Sequence, residues 1–351
     1  MLLIGAASAC YSIASPDGWA DPVFSGTTVY FSANRGQLEA YDRAAQKLLW
    51  QFPASGNKQL KLDGVYSTPV LDPNGSLLYF GAYNGNVYAL DTSNGQMRWQ
   101  FDTGAALIGG ILLRSGTLYL GNSNGRFVAL RSSDGHQLWE KQAGKRIWST
   151  PIDAGNLVIV ASMNSDVYAF DAQNGNLAWK STVASAAVAS TPSLDGSTLT
   201  FGAFDKRFYA VHDNNGDRIW QSPAAGNWFW TKGLLSGDNL YAGNLDGYLY
   251  AFDSSTGALR WRVNLGAPVR SSPALANGVL VVAGRNGMIH GLDPATGKEK
   301  WPAINSGGNI LANLVQNDTG LYALTEAGAH GGGRLLQINA ANGSSTSVIG
   351  P

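Results

Sequence analysis

The fold is decided by the stretch Val87-Tyr88-Ala89-Leu90-Asp91-Thr92-Ser93-Asn94-Gly95-Gln96-Met97-Arg98-Trp99, because its pattern recurs along the chain. An alternating apolar run leads into a turn, which ends in Gly in six of seven copies, and a Trp follows. These Trp residues are Trp50, Trp99, Trp139, Trp179, Trp220, Trp261 and Trp301. Their intervals are 49, 40, 40, 41, 41 and 40 residues. A period near 40 residues with several short strands per unit predicts a β-propeller.

Each unit divides into four short strands that are rich in β-branched or aromatic residues and bounded by Gly or Asn. Between the second and third strands of one unit, Asn84-Gly85 supplies the positive φ that a tight hairpin needs. In the same unit we predict strands at 68–71, 77–81, 86–91 and 97–101. A Pro recurs in the innermost strand, whose free edge needs no hydrogen-bond donor: Pro69, Pro151, Pro192 and Pro273.

The number of units sets the number of blades. The first unit is whole, from Pro22 through Trp50, and a degenerate eighth unit without the Trp runs from Ala312 to Ile349. We therefore predict an all-β fold, an eight-bladed β-propeller of four-stranded antiparallel blades, with seven blades and a remainder as the alternative. Residues 1–18 are predicted to be an N-terminal leader or signal remnant, and residues 19–351 a single propeller domain.

The charge balance argues against nucleic-acid binding. The chain of 351 residues has 24 Lys and Arg against 24 Asp and Glu, so no net field draws it to nucleic acid or to an anionic membrane. Charged residues make up 14%, well below the about 25% of a typical soluble domain. The chain is therefore turn-rich, aromatic-rich and weakly charged, and we expect it to be a monomer.

The single cysteine, Cys10, follows an apolar and then small-residue stretch, much as at the end of a bacterial lipoprotein signal. A basic segment before it is missing, and Ala7 stands where such signals usually have Leu. Lipidation of Cys10 and an incidental cysteine therefore both stay open. No other stretch approaches the about 20 apolar residues of a membrane-spanning helix, so any membrane attachment would be a lipid anchor at this end.

The repeat Ala-x-Asp-x-x-(Thr/Asn)-Gly-x-x-x-Trp, from about Pro22 to Ile349, resembles the tryptophan-docking repeat of pyrroloquinoline quinone (PQQ) type propellers. In size, blade number and the position of Cys10 the chain is most similar to the BamB family, lipoproteins of the outer-membrane β-barrel assembly machinery. That resemblance implies a non-catalytic scaffold outside the cytoplasm, periplasmic or on the cell surface, that binds a protein partner.

The wider resemblance also implies an alternative, a PQQ- and calcium-dependent dehydrogenase, or a ligand-sensing propeller. Such an enzyme holds calcium with acidic and amide side chains, uses an Asp base and often carries adjacent cysteines. Here one cysteine cannot form such a pair, and the four His residues show no metal-ligand spacing. We therefore predict no catalytic residue, no metal ligand and no cofactor.

A binding surface is predicted from one position of the repeat, three residues before the inner-strand Pro. Four aromatics and an Arg occupy it, namely Trp19, Tyr66, Trp148, Trp230 and Arg270, whereas other blades have Ile108, Ala189 and Leu311. Aromatic residues and Arg are enriched at binding hot spots. Hairpin loops on the same face add Tyr83, Phe204 and Arg285. The partner would be a protein of the cell envelope or a small or oligomeric ligand.

The alternative for this position is that its side chains plug the channel or pack between inner strands. The run Trp228-Phe229-Trp230 favours binding, because three consecutive aromatics cannot all lie on one side of a strand. Trp228 therefore joins the predicted surface.

Overall fold

A computed structural model describes residues 20–33, 36–57, 59–326 and 334–349. In these ranges the chain forms no helix and eight four-stranded sheets, each made of four consecutive strands. The predicted all-β fold with eight antiparallel blades is confirmed. No helix that could span a membrane is found in the same ranges.

Each blade follows the chain from its inner to its outer strand, so blade 1 is β1–β4 and blade 8 is β29–β32. Blades 1 to 4 contain β1 Val23–Ser25, β2 Thr28–Ala33, β3 Gln37–Asp42, β4 Lys47–Phe52, β5 Val70–Leu71, β6 Leu77–Gly81, β7 Asn86–Asp91, β8 Met97–Asp102, β9 Leu112–Arg114, β10 Thr117–Gly121, β11 Arg126–Arg131, β12 Gln137–Gln142, β13 Ile152–Ala154, β14 Leu157–Ala161, β15 Val167–Asp171 and β16 Leu177–Ser181. Blades 5 to 8 contain β17 Ser193–Asp195, β18 Thr198–Gly202, β19 Phe208–His212, β20 Arg218–Gln221, β21 Leu234–Ser236, β22 Asn239–Gly243, β23 Tyr248–Asp253, β24 Leu259–Asn264, β25 Ala274–Ala276, β26 Val279–Ala283, β27 Met288–Leu292, β28 Glu299–Asn305, β29 Val315–Asn317, β30 Gly320–Leu324, β31 Leu335–Ile338 and β32 Ser345–Ile349.

The inner strands are shorter than predicted. Pro69 directly precedes β5 and Pro151 directly precedes β13, so the recurring prolines lie before the strand and not inside it. A Pro has no N–H to pair with the second strand, so the ladder begins at the next residue. The segments ahead of these prolines are therefore irregular, and their side chains line the axis.

The hydrophobic core is divided among the blade interfaces. Eight apolar clusters are found in the described ranges, and each joins two neighbouring blades, including one between blade 8 and blade 1. A single four-stranded sheet cannot bury both faces, so stability requires that the ring close.

The repeated Trp lies at the outer part of each interface, against the turn of the next blade. The indole N–H of Trp220 donates to the carbonyl of Ser254 at 3.0 Å, and its ring lies beside Gly257. Equivalent hydrogen bonds join Trp50 to Thr92, Trp99 to Ser132, Trp139 to Ala172, Trp179 to Asp213 and Trp301 to Ala340. In blade 6, the indole N–H of Trp261 has no partner in the described ranges.

The interface between blades 8 and 1, which closes the ring, has different side-chain contacts, because blade 8 has no Trp. Arg43 donates from Nη1 to the hydroxyl of Tyr322 at 2.7 Å, and its guanidinium lies 5.1 Å from the centre of the Phe24 ring. The turn of blade 1 has Gln46, at φ 50°, where the other seven blades have Gly. The blade 1 turn can therefore accommodate the Gln46 side chain, because blade 8 has no Trp ring to pack against that turn.

Candidate functional site

One face of the disc carries both the loops that enter each blade and the hairpins between second and third strands. Backbone hydrogen bonds tie the two sets together within blades 2 to 8, for example from Tyr83 N to Gly64 O at 2.9 Å and from Phe204 N to Ala187 O at 2.9 Å. The predicted surface residues that the structure describes therefore share this face. We call the described members the aromatic funnel: Tyr66, Tyr83, Trp148, Phe204, Trp228, Trp230, Arg270 and Arg285.

Four aromatic rings of the funnel form a continuous array across blades 4 to 6. The rings of Phe204 and Trp228 stack in parallel, with centres 4.2 Å apart and planes 7° apart. Trp230 lies 5.4 Å from Phe204 and 5.8 Å from Trp148. Trp228 nevertheless remains 42% exposed. Solvent-exposed aromatic area at the mouth of a ring of loops is typical of a binding surface.

The side chains of Trp228, Phe229 and Trp230 point alternately to opposite sides of the segment, as in an extended chain. Phe229 is fully buried, with its ring 5.2 Å from that of Phe208 in the interface core of blades 5 and 6. Trp228 and Trp230 lie on the opposite side, against Phe204. Phe229 anchors the segment, so the two neighbouring indoles are held in place for contact with a ligand.

A second aromatic pair lies on blade 2. Tyr66 and Tyr83 have ring centres 5.4 Å apart. Tyr66 is almost completely buried, whereas Tyr83 is 42% exposed. Tyr66 supports the base of the funnel, and Tyr83 presents its ring at the rim.

Arg270 brings positive charge into the aromatic array. Its guanidinium lies 4.5 Å from the centre of the Trp230 ring, within range of a cation–π interaction. Burial and then the nearby Arg285 lower the pKa of Arg270 to about 10, so the group remains charged at neutral pH. A partly desolvated guanidinium beside aromatic rings is suited to an anionic group that comes with apolar surface.

Below the funnel a cavity of about 110 Å³ lies on the axis. Its wall includes the residue two positions before each inner strand: Asp21, Thr68, Gly110, Thr150, Thr191, Lys232, Ser272 and Asn313. Several of these form a belt, in which the N–H of one blade donates to a side chain of the next. Gly110 N donates to Thr150 at 3.0 Å, and Thr150 N donates to Thr191 at 3.0 Å.

Asp21, the one acidic residue of this belt, is held by hydrogen bonds to the neighbouring blade. Its two carboxylate oxygens accept from the backbone N–H of Asn313 at 2.7 Å and from the Asn313 side chain at 2.9 Å. Burial raises the pKa of Asp21, and the hydrogen bonds from Asn313 and Thr68 oppose that shift. Asp21 therefore links blades 8 and 1.

Lys232 of blade 6 interrupts the belt. A Lys side chain has no acceptor to offer to the N–H of the preceding blade, here Thr191. The side chain is reached by solvent yet surrounded by protein, as expected inside a narrow channel, and this desolvation lowers its pKa. No ion pair or hydrogen bond of the Lys232 ammonium is found in the described ranges.

Sequence reasoning missed this second ring of residues. Its signal was present, because Asp21, Thr68, Thr150, Thr191 and Ser272 all directly precede an inner-strand Pro. Trp19 and Cys10 lie outside the described residues. The other predicted surface residues share the funnel face, although the direct contacts fall into two groups, one on blades 4 to 7 and the Tyr66–Tyr83 pair on blade 2.

Within the described residues, no three His, Cys, Asp or Glu side chains lie close enough together to hold a metal ion. The expectation that the protein uses no PQQ stays a prediction.

The chain is similar to known propeller proteins. A family model described as outer membrane protein assembly factor BamB matches residues 12–106, 83–228 and 205–347. The crystal structure of BamB from Moraxella catarrhalis is 19% identical with a TM-score of 0.76, over 91% of this chain and 94% of that chain. The computationally designed Ika8 protein is 14% identical with a TM-score of 0.75, over 92% and 98%. At such identities the likeness shows the fold alone. No curated protein matches the chain.

Proposed function

The chain belongs to the family of outer membrane protein assembly factor BamB, and from this premise we propose that it is a non-catalytic scaffold of the bacterial cell envelope. It recognises a partner protein through the aromatic funnel. The observation that carries this proposal is the exposed Phe204–Trp228 stack, which is continuous with Trp230 and Arg270.

The energetics favour a role in recognition for this stack. Leaving much of an indole in water forgoes the about 25 cal/mol per Å² that burial of apolar area contributes. At the equivalent position other blades have Gly64, Ala106 and Ala187, so the fold does not require Trp228. Binding of a partner would bury this area and desolvate Arg270 further, as in the centre of a protein interface.

The partner is tested by photo-crosslinking in native cell envelopes. A photoreactive residue in place of Tyr83, on the funnel face, is expected to crosslink to an outer membrane protein or to a protein that assembles one. The control is the same group in place of Gln173, an exposed residue in the β15–β16 turn on the opposite face. Equal crosslinking from both faces, or none from Tyr83, would contradict the proposal.

We also propose that the protein acts outside the cytoplasm and is held at the membrane by a lipid on Cys10. The support is the run of apolar and small residues before Cys10, together with the family. The natural precursor is expected to incorporate labelled palmitate and to sediment with membranes. A Cys10→Ala precursor that labels and fractionates like the wild type would refute the anchor.

A further inference from the structure

We infer that the axial cavity is a carboxylate site, filled by an acidic side chain of an extended peptide segment whose neighbouring aromatic residue lies on the Phe204–Trp228–Trp230 array. The inference rests on the proposed function and specifies the chemistry of the segment that the funnel takes.

The charges of the cavity wall point to an anion. Lys232 and Arg270 line the cavity, and Asp21 is the one acid among its lining residues. Asp21 is already bound by Asn313, and no ion pair joins it to Lys232 in the described ranges. The cavity lining therefore has two cations and one acid, and an added carboxylate would be attracted by both cations.

The interrupted belt supplies a second donor. At blades 4 and 5 the N–H of Thr150 is satisfied by the hydroxyl of Thr191, but at blade 6 Lys232 offers no acceptor to the N–H of Thr191. No hydrogen bond from that N–H is found in the described part of the chain. A carboxylate oxygen at blade 6 would accept from the N–H of Thr191 and pair with the Lys232 ammonium, and so supply the acceptor that Lys232 lacks.

The size of the site indicates a segment of a polymer and not a free metabolite. A cavity of about 110 Å³ is smaller than the about 300–1,000 Å³ of most small-molecule sites. Trp148 and Trp230 line this cavity, whereas Phe204 and Trp228 lie outside its lining, and Trp228 is 42% exposed. A ligand that uses both the cavity and the Phe204–Trp228 stack must extend from the axis across the funnel, as a peptide with adjacent acidic and aromatic side chains does.

The inference is tested by calorimetry with two blocked tetrapeptides, acetyl-Gly-Phe-Glu-Gly-amide and its Gln counterpart, with sodium acetate as a third probe. The Glu peptide is expected to bind about tenfold or more tightly than the Gln peptide, the size of one charge-assisted hydrogen bond. Acetate alone is expected to bind far more weakly. Equal affinities of the two peptides, or acetate binding as tightly as the Glu peptide, would overturn the inference.

Variants identify the residue responsible. Lys232→Met is expected to abolish the preference for Glu over Gln, whereas Lys145→Met, an exposed Lys of the same face outside the cavity lining, is expected to retain it. If Lys232→Met weakens both peptides equally, Lys232 is structural and the inference is wrong. The peptide comparison uses the wild-type protein, so it decides the question even if the variant does not fold.

This inference and the proposed function can fail separately. Crosslinking from the Tyr83 position without any preference for the Glu peptide would remove only the carboxylate site. A clear Glu preference without crosslinking in the envelope would remove only the assembly role.

Discussion

Replacing Gly257 by Ala is expected to destabilise the propeller by about 3 kcal/mol, through two effects that act together. Gly257 has φ +71°, a left-handed conformation that costs a residue with a Cβ about 1–2 kcal/mol. The added Cβ would also lie 2.4 Å from Cε3 of Trp220, and neither the ring nor the turn can move away without breaking the indole hydrogen bond to Ser254. Urea unfolding measures the loss.

The control for this prediction separates strain from collision. Gly155 has nearly the same backbone, φ +69°, but a Cβ there meets nothing within 4 Å. Gly155→Ala should therefore cost only the conformational strain, about 1 kcal/mol. If Gly257→Ala and Gly155→Ala lower the free energy of unfolding by the same amount, contact with the Trp220 ring is not the reason that position 257 requires Gly.

The same comparison explains why the blades could be counted from the sequence. The Trp ring packs against the Gly of the next blade's turn, and the Trp is paired with a small residue on the neighbouring strand. A blade that lacks the Trp therefore has no need of that Gly or of the small residue. Ala251 pairs with Trp261, whereas blade 8 pairs Leu336 with Ser347 and is followed by Gln46 in place of Gly. Where the Trp is missing, the pattern weakens, and the eighth blade is recognised only by its spacing and strands.

The candidate site could be predicted only in part. Residues at the same position of each repeat lie at equivalent places around the propeller. Spacing alone therefore predicts that four residues share one face: Tyr66, Trp148, Trp230 and Arg270. What one sequence does not display is which neighbours across the ring touch. The contact of Arg270 with Trp230 depends on rotamers, and the role proposed for Lys232 depends on hydrogen bonds between neighbouring blades that exist only in the folded ring.

The strongest functional effect is expected from Trp148→Ala and Trp230→Ala. Removal of a hot-spot aromatic typically costs about 2 kcal/mol or more of binding free energy, roughly a 30-fold loss of affinity. Both indoles border the axial cavity, and Trp230 contacts Trp148, Phe204 and Arg270. Truncation would remove the aromatic wall on which the proposed partner would stack.

Folding should be affected much less, because blades 3, 5 and 8 have Ile108, Ala189 and Leu311 at the same position. The comparison variant is Trp220→Ala, which empties an interface between blades and is expected to cost about 3–5 kcal/mol of folding stability. Partner crosslinking from the Tyr83 position and thermal unfolding are measured on all three variants. If Trp148→Ala and Trp230→Ala unfold the protein as Trp220→Ala does, these indoles are packing residues and the funnel is not the recognition surface.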